Sequence, residues 1–314
     1  MNSLFILGNG FDLAHGLPTM YKDFRSAILK NYPNAGINRD EQFDIYDYFE
    51  MYEDEFAAEI LVYAIDSASG LEWNDFENAL AHINFYDKFP RRTESADMSR
   101  EEDNKDARNY LLAVDIISNA MISSTKYCQG FFRCWVKDVE QELESRAYAP
   151  KESLIELFAN PTNQYLTFNY TKTLQKLYGI RKVIHIHNRV GQKLIFGHGN
   201  DQATYKEPIE NSCTISSSFL NDLLLSFRKD TVTPIKKYSD SFKKLDGNID
   251  KVYSYGFSYS KVDSIYIKTI IKRIATNATW YFTDYESFDK EALRIKKIKL
   301  RRYGFKGDFG IYQG

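Results

Sequence analysis

The residues best suited to chemistry open the chain. Gly8-Asn9-Gly10 follows the apolar, β-prone run Leu4 to Leu7, and Asp12 stands two residues further on. A strand that ends in a glycine-rich turn and feeds a helix presents backbone N–H groups to an anion, and the helix dipole favours negative charge there. A nucleotide phosphate is the usual occupant, so Gly8, Asn9 and Gly10 are the first candidate binding residues. The dinucleotide fingerprint G-x-G-x-x-G is incomplete, because Leu13 holds the third glycine position and Gly16 comes three residues late. A tight β–α turn without a ligand is the alternative reading.

Histidines are the next reactive group. His185 and His187 alternate onto one face of a strand. A metal pair with His198 as third ligand is an alternative, but no spacing fixes its geometry, and no metal is expected. His185 is expected to be a satisfied core histidine. Trp73 and Glu77 lie four apart on one helix face. Trp73 is expected in the core, and Glu77 either faces a cleft or forms a surface ion pair. Cys128, Cys134 and Cys213 make no close pair and no C-x-x-C, so neither a disulfide framework nor structural zinc is expected.

Alternating strands and helices must position these groups. Strands are expected at Ser3–Leu7, Tyr165–Phe168, Lys182–His187, Asp250–Tyr255 and Thr279–Phe282, with Ile295–Arg301 as a last one. A helix is expected from Thr19 as N-cap, with Tyr21, Phe24, Ile28 and Leu29 on its apolar side. Further helices are expected over 111–143, two within 216–244, and one over 262–274. The fold class is α/β, a Rossmann-like mostly parallel sheet with a large helical insertion after the first β–α unit. Residues 1–40 and 151–314 form the nucleotide-binding core, and 41–150 the insertion capping the strand-end cleft.

Ligands of such sheets sit beyond the carboxyl ends of the strands. Gly8–Asp12, Asn169–Thr173, His187–Asn188 and Gly256–Ser260 all fall there. The basic run Lys296–Arg302 reads as a solvated strand or edge guard, and the acidic stretch Asp44–Glu59 as a solvated helix face or partner surface. Asp87–Asp106 reads as an exposed charged connection.

Composition bounds the function. The chain has 314 residues, 43% hydrophobic and 27% charged, with a formal net charge of −2. Nothing draws it as a whole to nucleic acid or anionic lipid. No run reaches the roughly 18–20 apolar residues of a membrane span. Leu4 to Leu7 follows no basic segment and reads as a strand, not a signal peptide. A cytoplasmic location is expected.

The motifs, in order, resemble the phage abortive-infection AbiH family. They are Gly8-Asn-Gly-Phe-Asp12 with Gly16-Leu-Pro-Thr19, Trp73-Asn-Asp-Phe-Glu77, Thr167-Phe-Asn-Tyr-Thr171, His185-Ile-His187, Phe196-Gly-His-Gly199 and Gly256-Phe-Ser-Tyr-Ser-Lys-Val-Asp263. That family in turn looks like a remote relative of sirtuin-type NAD-binding proteins. The resemblance implies NAD across the strand ends of a Rossmann-like sheet. It implies NAD-cleaving roles for Asn169 and His187, matched by motif position. Asp12, Thr171 and Asn188 depart from the sirtuin pattern, and the absent zinc cysteines argue against a lysine deacylase.

On that basis Asn169, His187 and Asp12 are the catalytic candidates. Gly8, Asn9, Gly10, Thr167, Gly256, Ser258 and Asp263 are the nucleotide-binding candidates, and Glu77 and His198 further ones. An Asn amide can hold a ribose hydroxyl or water from both ends. A neutral imidazole can take a proton near neutral pH. Asp12 could bind a hydroxyl or stabilise positive charge at the ribose. Asn169 could instead cap the following helix, and Asp263 could cap its own. The expected function is an antiphage NAD glycohydrolase, held off until a phage trigger or host partner acts, in a homo-oligomer. The alternatives are a nucleotide-gated binding module without turnover and a metal-dependent nuclease or nucleotidase.

Overall fold

Six short apolar runs pair into one sheet in the computed structural model, which describes residues 2–37, 53–73, 76–82, 108, 125–199, 222 and 224–314. The strands are β1 (Asn2–Leu7), β2 (Gln164–Thr167), β3 (Val183–His185), β4 (Ile249–Tyr255), β5 (Thr279–Thr283) and β6 (Asp308–Tyr312). All pairings among the described residues are parallel, in the order β3-β2-β1-β4-β5-β6. The chain steps outward from β1 to β3, returns to β4 beside β1, and steps outward again to β6. The order therefore reverses between β1 and β4, the place where doubly wound sheets of this strand order hold ligands.

The helices follow the same logic. They are α1 (Asn9–Ala14), α2 (Tyr21–Asn31), α3 (Glu53–Ser69), α4 (Phe76–Ala79), α5 (described over residues 125–145), α6 (Glu152–Phe158), α7 (Thr173–Tyr178), α8 (Val232–Lys237), α9 (Ser239–Lys243), α10 (Ser264–Ile271), α11 (Asp284–Phe288) and α12 (Lys290–Arg302). Parallel sheets bury both faces, and β1 shows why its sequence is continuously apolar. Leu4 and Ile6 join Tyr266, Ile267 and Ile270 of α10 and Leu293 and Leu300 of α12 on one face. Phe5 and Leu7 join Phe11 of α1, Phe158 of α6 and Leu174 of α7 on the other. At about 25 cal/mol per Å² of apolar surface, each such side chain contributes about 1.5–3 kcal/mol.

The chain divides into two compact units. One comprises Met1–Met20, Val136–Ile195 and Lys229–Gly314 and carries the whole described sheet. The other comprises Tyr21–Trp135 and Phe196–Arg228. Its core is aromatic: Phe24 packs against Trp73, Phe76, Phe132 and Trp135. Asp66 accepts both Arg25 Nε and Nη2, and also Trp73 Nε1, which fixes α2 against α3.

Three local expectations are corrected. Residues 295–301 are helical, within α12, because Leu293 and Leu300 are buried seven residues apart and Asp289 accepts Ala292 N–H as N-cap. The last strand is instead β6, which no sequence signal had marked. Thr19 does not cap α2. Its carbonyl accepts Asn9 Nδ2, and its buried Oγ1 has no partner among the described residues. The expectations for 38–52, 83–107, 109–124, Asn200, Cys213 and 216–221 lie outside the described residues.

Candidate functional site

The turn after β1 meets the end of β4 backbone to backbone. Gly8 N–H donates to Tyr255 O at 2.9 Å, Gly10 N–H to Gly256 O at 3.1 Å, and Phe11 N–H to Gly8 O at 2.9 Å. A Cβ on Gly10 would lie 2.6 Å from Gly256 Cα, and Gly256 itself has φ +59. These glycines permit two chain segments to touch at the switch point. The Gly8 and Gly10 amides, assigned from sequence to a phosphate, are engaged by the carbonyls of Tyr255, the last residue of β4, and of Gly256 just beyond it. Asn9 is exposed and bonded to Thr19 O, and Ser258 is exposed.

Asp12, on α1, is 1% exposed. Its Oδ2 receives Thr171 Oγ1 at 2.6 Å and its Oδ1 receives Thr173 Oγ1 at 2.7 Å. The two threonine hydroxyls are themselves 2.9 Å apart. Three close oxygen contacts need three protons, and two hydroxyls supply two. Below about pH 6 a protonated Asp12 carboxyl supplies the third and closes the ring; above it both hydroxyls donate to the carboxylate. Burial pushes this carboxyl up to about 6, outweighing the hydrogen bonds from Thr171 and Thr173, and the charge of Glu140 adds to the rise. Asp12 thus offers its oxygens to the protein, not to open space.

Asn169 follows β2 and is 6% exposed. Its N–H donates to Thr167 Oγ1, and its carbonyl accepts from His185 Nδ1 at 3.1 Å. Its side-chain Nδ2 is buried with no hydrogen-bond partner among the described residues; it favours Asp12 ionisation without reaching bonding geometry. Lys172, not Asn169, occupies the N-cap of α7. A buried orphan donor costs about 1–3 kcal/mol, so its retention calls for a reason.

His185 is a satisfied core histidine. Nδ1 donates to Asn169 O, and Nε2 lies 2.8 Å from Gln175 Nε2 and so must accept. Burial pushes His185 down to about 4, against the hydrogen bond to Asn169.

His187 is a different case. Its Nε2 lies 3.0 Å from Asp263 Oδ1, and Lys229 Nζ lies 3.2 Å from the same oxygen. Ser260 Oγ donates to Asp263 Oδ2 at 3.0 Å. Burial would raise the Asp263 carboxyl, but Lys229 and His187 outweigh it and hold the group below its ordinary range. Asp263 stands at the N-cap of α10, yet its side chain makes no cap bond. β3 and β4 are three strand spacings apart, about 14 Å at about 4.8 Å each. Because His187 and Asp263 touch, the segments after β3 and β4 lean together over the ends of β2 and β1. Phe168, just past β2, packs on both Phe257 and His187 there.

Sequence-derived candidates therefore fall into two buried clusters at the carboxyl rim: Asp12, Thr167 and Asn169 in one, His187 and Asp263 in the other. Glu77 and His198 belong to the other unit. His198 is buried, with Nε2 2.8 Å from Leu224 O. Among the described residues no group of three or more His, Cys, Asp or Glu side chains is placed to hold a metal. Nor is any helix long and apolar enough to cross a membrane.

Residues missed from sequence complete the site. Thr173 closes the Asp12 ring, and Lys229 and Ser260 hold Asp263. Buried Glu140 grips the turn between the clusters, accepting Lys172 N–H at 2.9 Å and pairing with Lys172 Nζ at 3.0 Å. An isolated Lys or Glu carries no sequence signal for such contacts; Thr173, inside the Asn169–Thr173 cluster, and Ser260, inside the Gly256–Ser260 cluster, lay where one could look.

A doubly wound parallel sheet with buried carboxyl, carboxamide and imidazole groups at its switch-point rim defines a Rossmann-type α/β protein with a strand-end polar site. A family model narrows the class further. The chain belongs to the bacteriophage abortive infection AbiH family, whose model matches residues 4–284. Comparison with characterised proteins and with solved structures finds no match.

Proposed function

We propose that the strand-end site binds a ribose-bearing nucleotide, with NAD as the leading substrate, and that cleavage of the nicotinamide–ribose bond is how this AbiH protein contributes to abortive infection. The observation that carries the reading is Asn169. A buried carboxamide donor without a hydrogen-bond acceptor among the described residues can be matched by a ligand hydroxyl or a bound water. His187 stands in the neighbouring cluster with one ring nitrogen on Asp263.

Nicotinamide leaves as a group activated by its positive ring, through an oxocarbenium-like state. The protein has to position the ribose and supply water. Asn169 positions a ribose hydroxyl or the water, and His187 accepts a proton or contacts the ribose. General-base help of this kind is worth about 10²–10⁴ in rate. Asp12 acts through the Thr171 turn and Asn169. The Gly8 and Gly10 amides do not fit a pyrophosphate cradle, because the Tyr255 and Gly256 carbonyls hold them. The phosphates are therefore assigned no contact here.

The test is release of nicotinamide from NAD by purified protein, alone and with infected-cell extract as trigger. Asn169→Ala and His187→Ala should each lower release at least about 100-fold while the circular dichroism spectrum is retained. Equal release by wild type and both variants would overturn the assignment. A binding module without turnover is the second reading. It is favoured by the closed Asp12 ring, which offers a substrate no oxygen. Tight NAD or ADP-ribose binding with no product over long incubation selects it. A homo-oligomer and a phage or host trigger belong to the same proposal.

A further inference from the structure

One flank of α12 carries far more positive charge than its neighbours neutralise. Residues 290–306, α12 and the turn into β6, hold eight Lys and Arg side chains against one acid, Glu291, in a chain whose formal net charge is −2. Lys290, Arg294, Lys297 and Arg301 recur at i, i+4, i+7 and i+11, so they form a single stripe along the helix. Leu293 and Leu300, buried against the sheet, fix which way the stripe faces. It runs beside β6, the edge strand: Lys297 Nζ and the Arg301 guanidinium lie 5.6 and 4.6 Å from the centre of the Phe309 ring. Exposed Lys306 extends the stripe into the turn before β6. Arg294 holds Glu291, and Lys296 holds Glu286. Lys290, Lys297, Arg302 and Lys306 make no ion pair among the described residues. Asp308 alternates to the other face of β6 from Phe309.

Helix stability does not explain the stripe. Like charges three and four residues apart repel. The helix dipole favours cations in the last turn, which accounts for Arg301 and Arg302 but opposes Lys290 in the first. Beside Lys290 stand two rings that the fold does not bury. Tyr285 and Phe288 of α11 are 76% and 81% exposed, with ring centres 6.4 Å apart. Because α11 follows β5 directly, the rings lie at the carboxyl ends of the strands. The parallel crossover to β6 then sends α12 back along the sheet. The cations trail away from the aromatic pair for about 16 Å, at about 1.5 Å per residue. A second copy docked face to face would set stripe against stripe, like charge on like. A bilayer favours an amphipathic helix whose apolar face is free to insert, and that of α12 is buried on the sheet.

We propose that this face binds single-stranded nucleic acid, with phosphates along Lys290, Arg294, Lys297 and Arg301 and bases stacked on Tyr285 and Phe288. A linear polyanion with a flat ring at every unit matches both halves of the surface. The Arg294 and Glu291 side chains are 62% and 63% exposed, so exchanging that pair for a phosphate costs little. The surface shares no residue with the Asp12 and His187 clusters and stands apart from the NAD reading.

The experiment is fluorescence anisotropy of the full chain with labelled oligothymidylate and oligouridylate of about 20 nucleotides, between about 50 and 200 mM salt. Wild type should bind both. The logarithm of affinity should fall against the logarithm of salt with a slope of about −3, since each of the four phosphates contributes about −0.7. The double variant Lys290→Gln, Arg294→Gln changes only exposed side chains. It should weaken binding at least about tenfold and make the slope shallower by about 1.4. Phe288→Ala should weaken binding about tenfold and leave the slope unchanged, a split that loss of charge does not give. Lys176→Gln, exposed on α7 across the sheet, should change neither. No binding at about 50 mM salt, or equal binding by wild type and the double variant, overturns the proposal. So does tighter binding of a duplex of the same length, or binding to phosphatidylserine vesicles with neither oligonucleotide bound. A dimer in sedimentation that the double variant dissolves assigns the face to a second copy and overturns it too.

Discussion

Asp12 and His185 carry opposite pH dependences a few residues from the same turn. Asp12 is raised from 3.8 to about 6 by burial, and His185 is lowered from 6.5 to about 4 by burial. At about 1.36 kcal/mol per pH unit, each displacement is worth about 3 kcal/mol. A carboxyl raised in the folded state contributes stability that is complete below about pH 4 and lost as pH rises through about 6. A histidine lowered in the folded state contributes stability that is complete above about 6.5 and lost as pH falls through about 4. The two slopes overlap between about pH 4 and 6 and nearly cancel. Urea unfolding of Asp12→Asn should therefore show stability rising with pH by up to ~3 kcal/mol across that window, as the His185 slope is unmasked. His185→Gln should show the reverse, a fall of similar size. Parallel profiles for the two variants would mean that Asp12 is not held neutral by its ring. The residue types of the site were legible in sequence, but their partners were not. Asn169 could also be read as a helix cap, and alternation put His185 and His187 on one face, with His185 expected as the satisfied core histidine. Three-dimensional neighbours separate them: a carbonyl and Gln175 satisfy one ring, and a shared carboxylate orients the other.

At the scale of elements, the glycine turn after β1 shows how one motif serves two readings. Gly8-Asn9-Gly10 was read from sequence as an anion cradle, and its form as a β–α turn holds. What the glycines do is let β1 and β4 approach at the switch point. The comparison of Gly256→Ala with Gly191→Ala tests this. Both glycines have positive φ, +59 and +86, but a Cβ on Gly191 would meet nothing within 4 Å. Gly191→Ala should cost about 1–2 kcal/mol, the left-handed backbone alone. Gly256→Ala adds a collision with the Gly10 backbone, so its loss of stability in chemical denaturation should be at least about twice as large. Equal losses would remove close approach as the reason for Gly256. Elements with a plain period were readable: β1, β4 and β5 fall within a residue or two of their expected places. Residues 295–301 misled because Ile298-Lys-Leu-Arg301 alternates as in a strand, while the buried pair Leu293 and Leu300 reveals the helix only against the sheet. β6 was hidden by Gly310, which reads as a turn but lies against the Tyr281 ring, where a Cβ would come within 2.5 Å of Cε1.

For the whole molecule, the sheet-bearing unit holds every candidate of the two rim clusters, and Glu77 and His198 lie in the other unit. Membership of the AbiH family makes protection of a bacterial population against phage the relevant assay. Cells carrying the wild-type gene should lose NAD on infection with a restricted phage. Cells carrying His187→Ala should keep NAD and lose protection. Protection with NAD unchanged in wild type would leave the nucleotide role, if any, as binding alone.

The sequence by itself determined the parallel α/β class, the family, and the strand-end position of the polar clusters, because apolar periodicity and turn residues act over a few neighbouring positions. Only the tertiary structure decided that Gly10 touches Gly256, that two threonines close a ring on Asp12, and that Lys229 shares Asp263 with His187. Those contacts join residues that are 34 to 246 positions apart in the chain, and burial, which sets their protonation, exists only once the sheet has brought them to one rim.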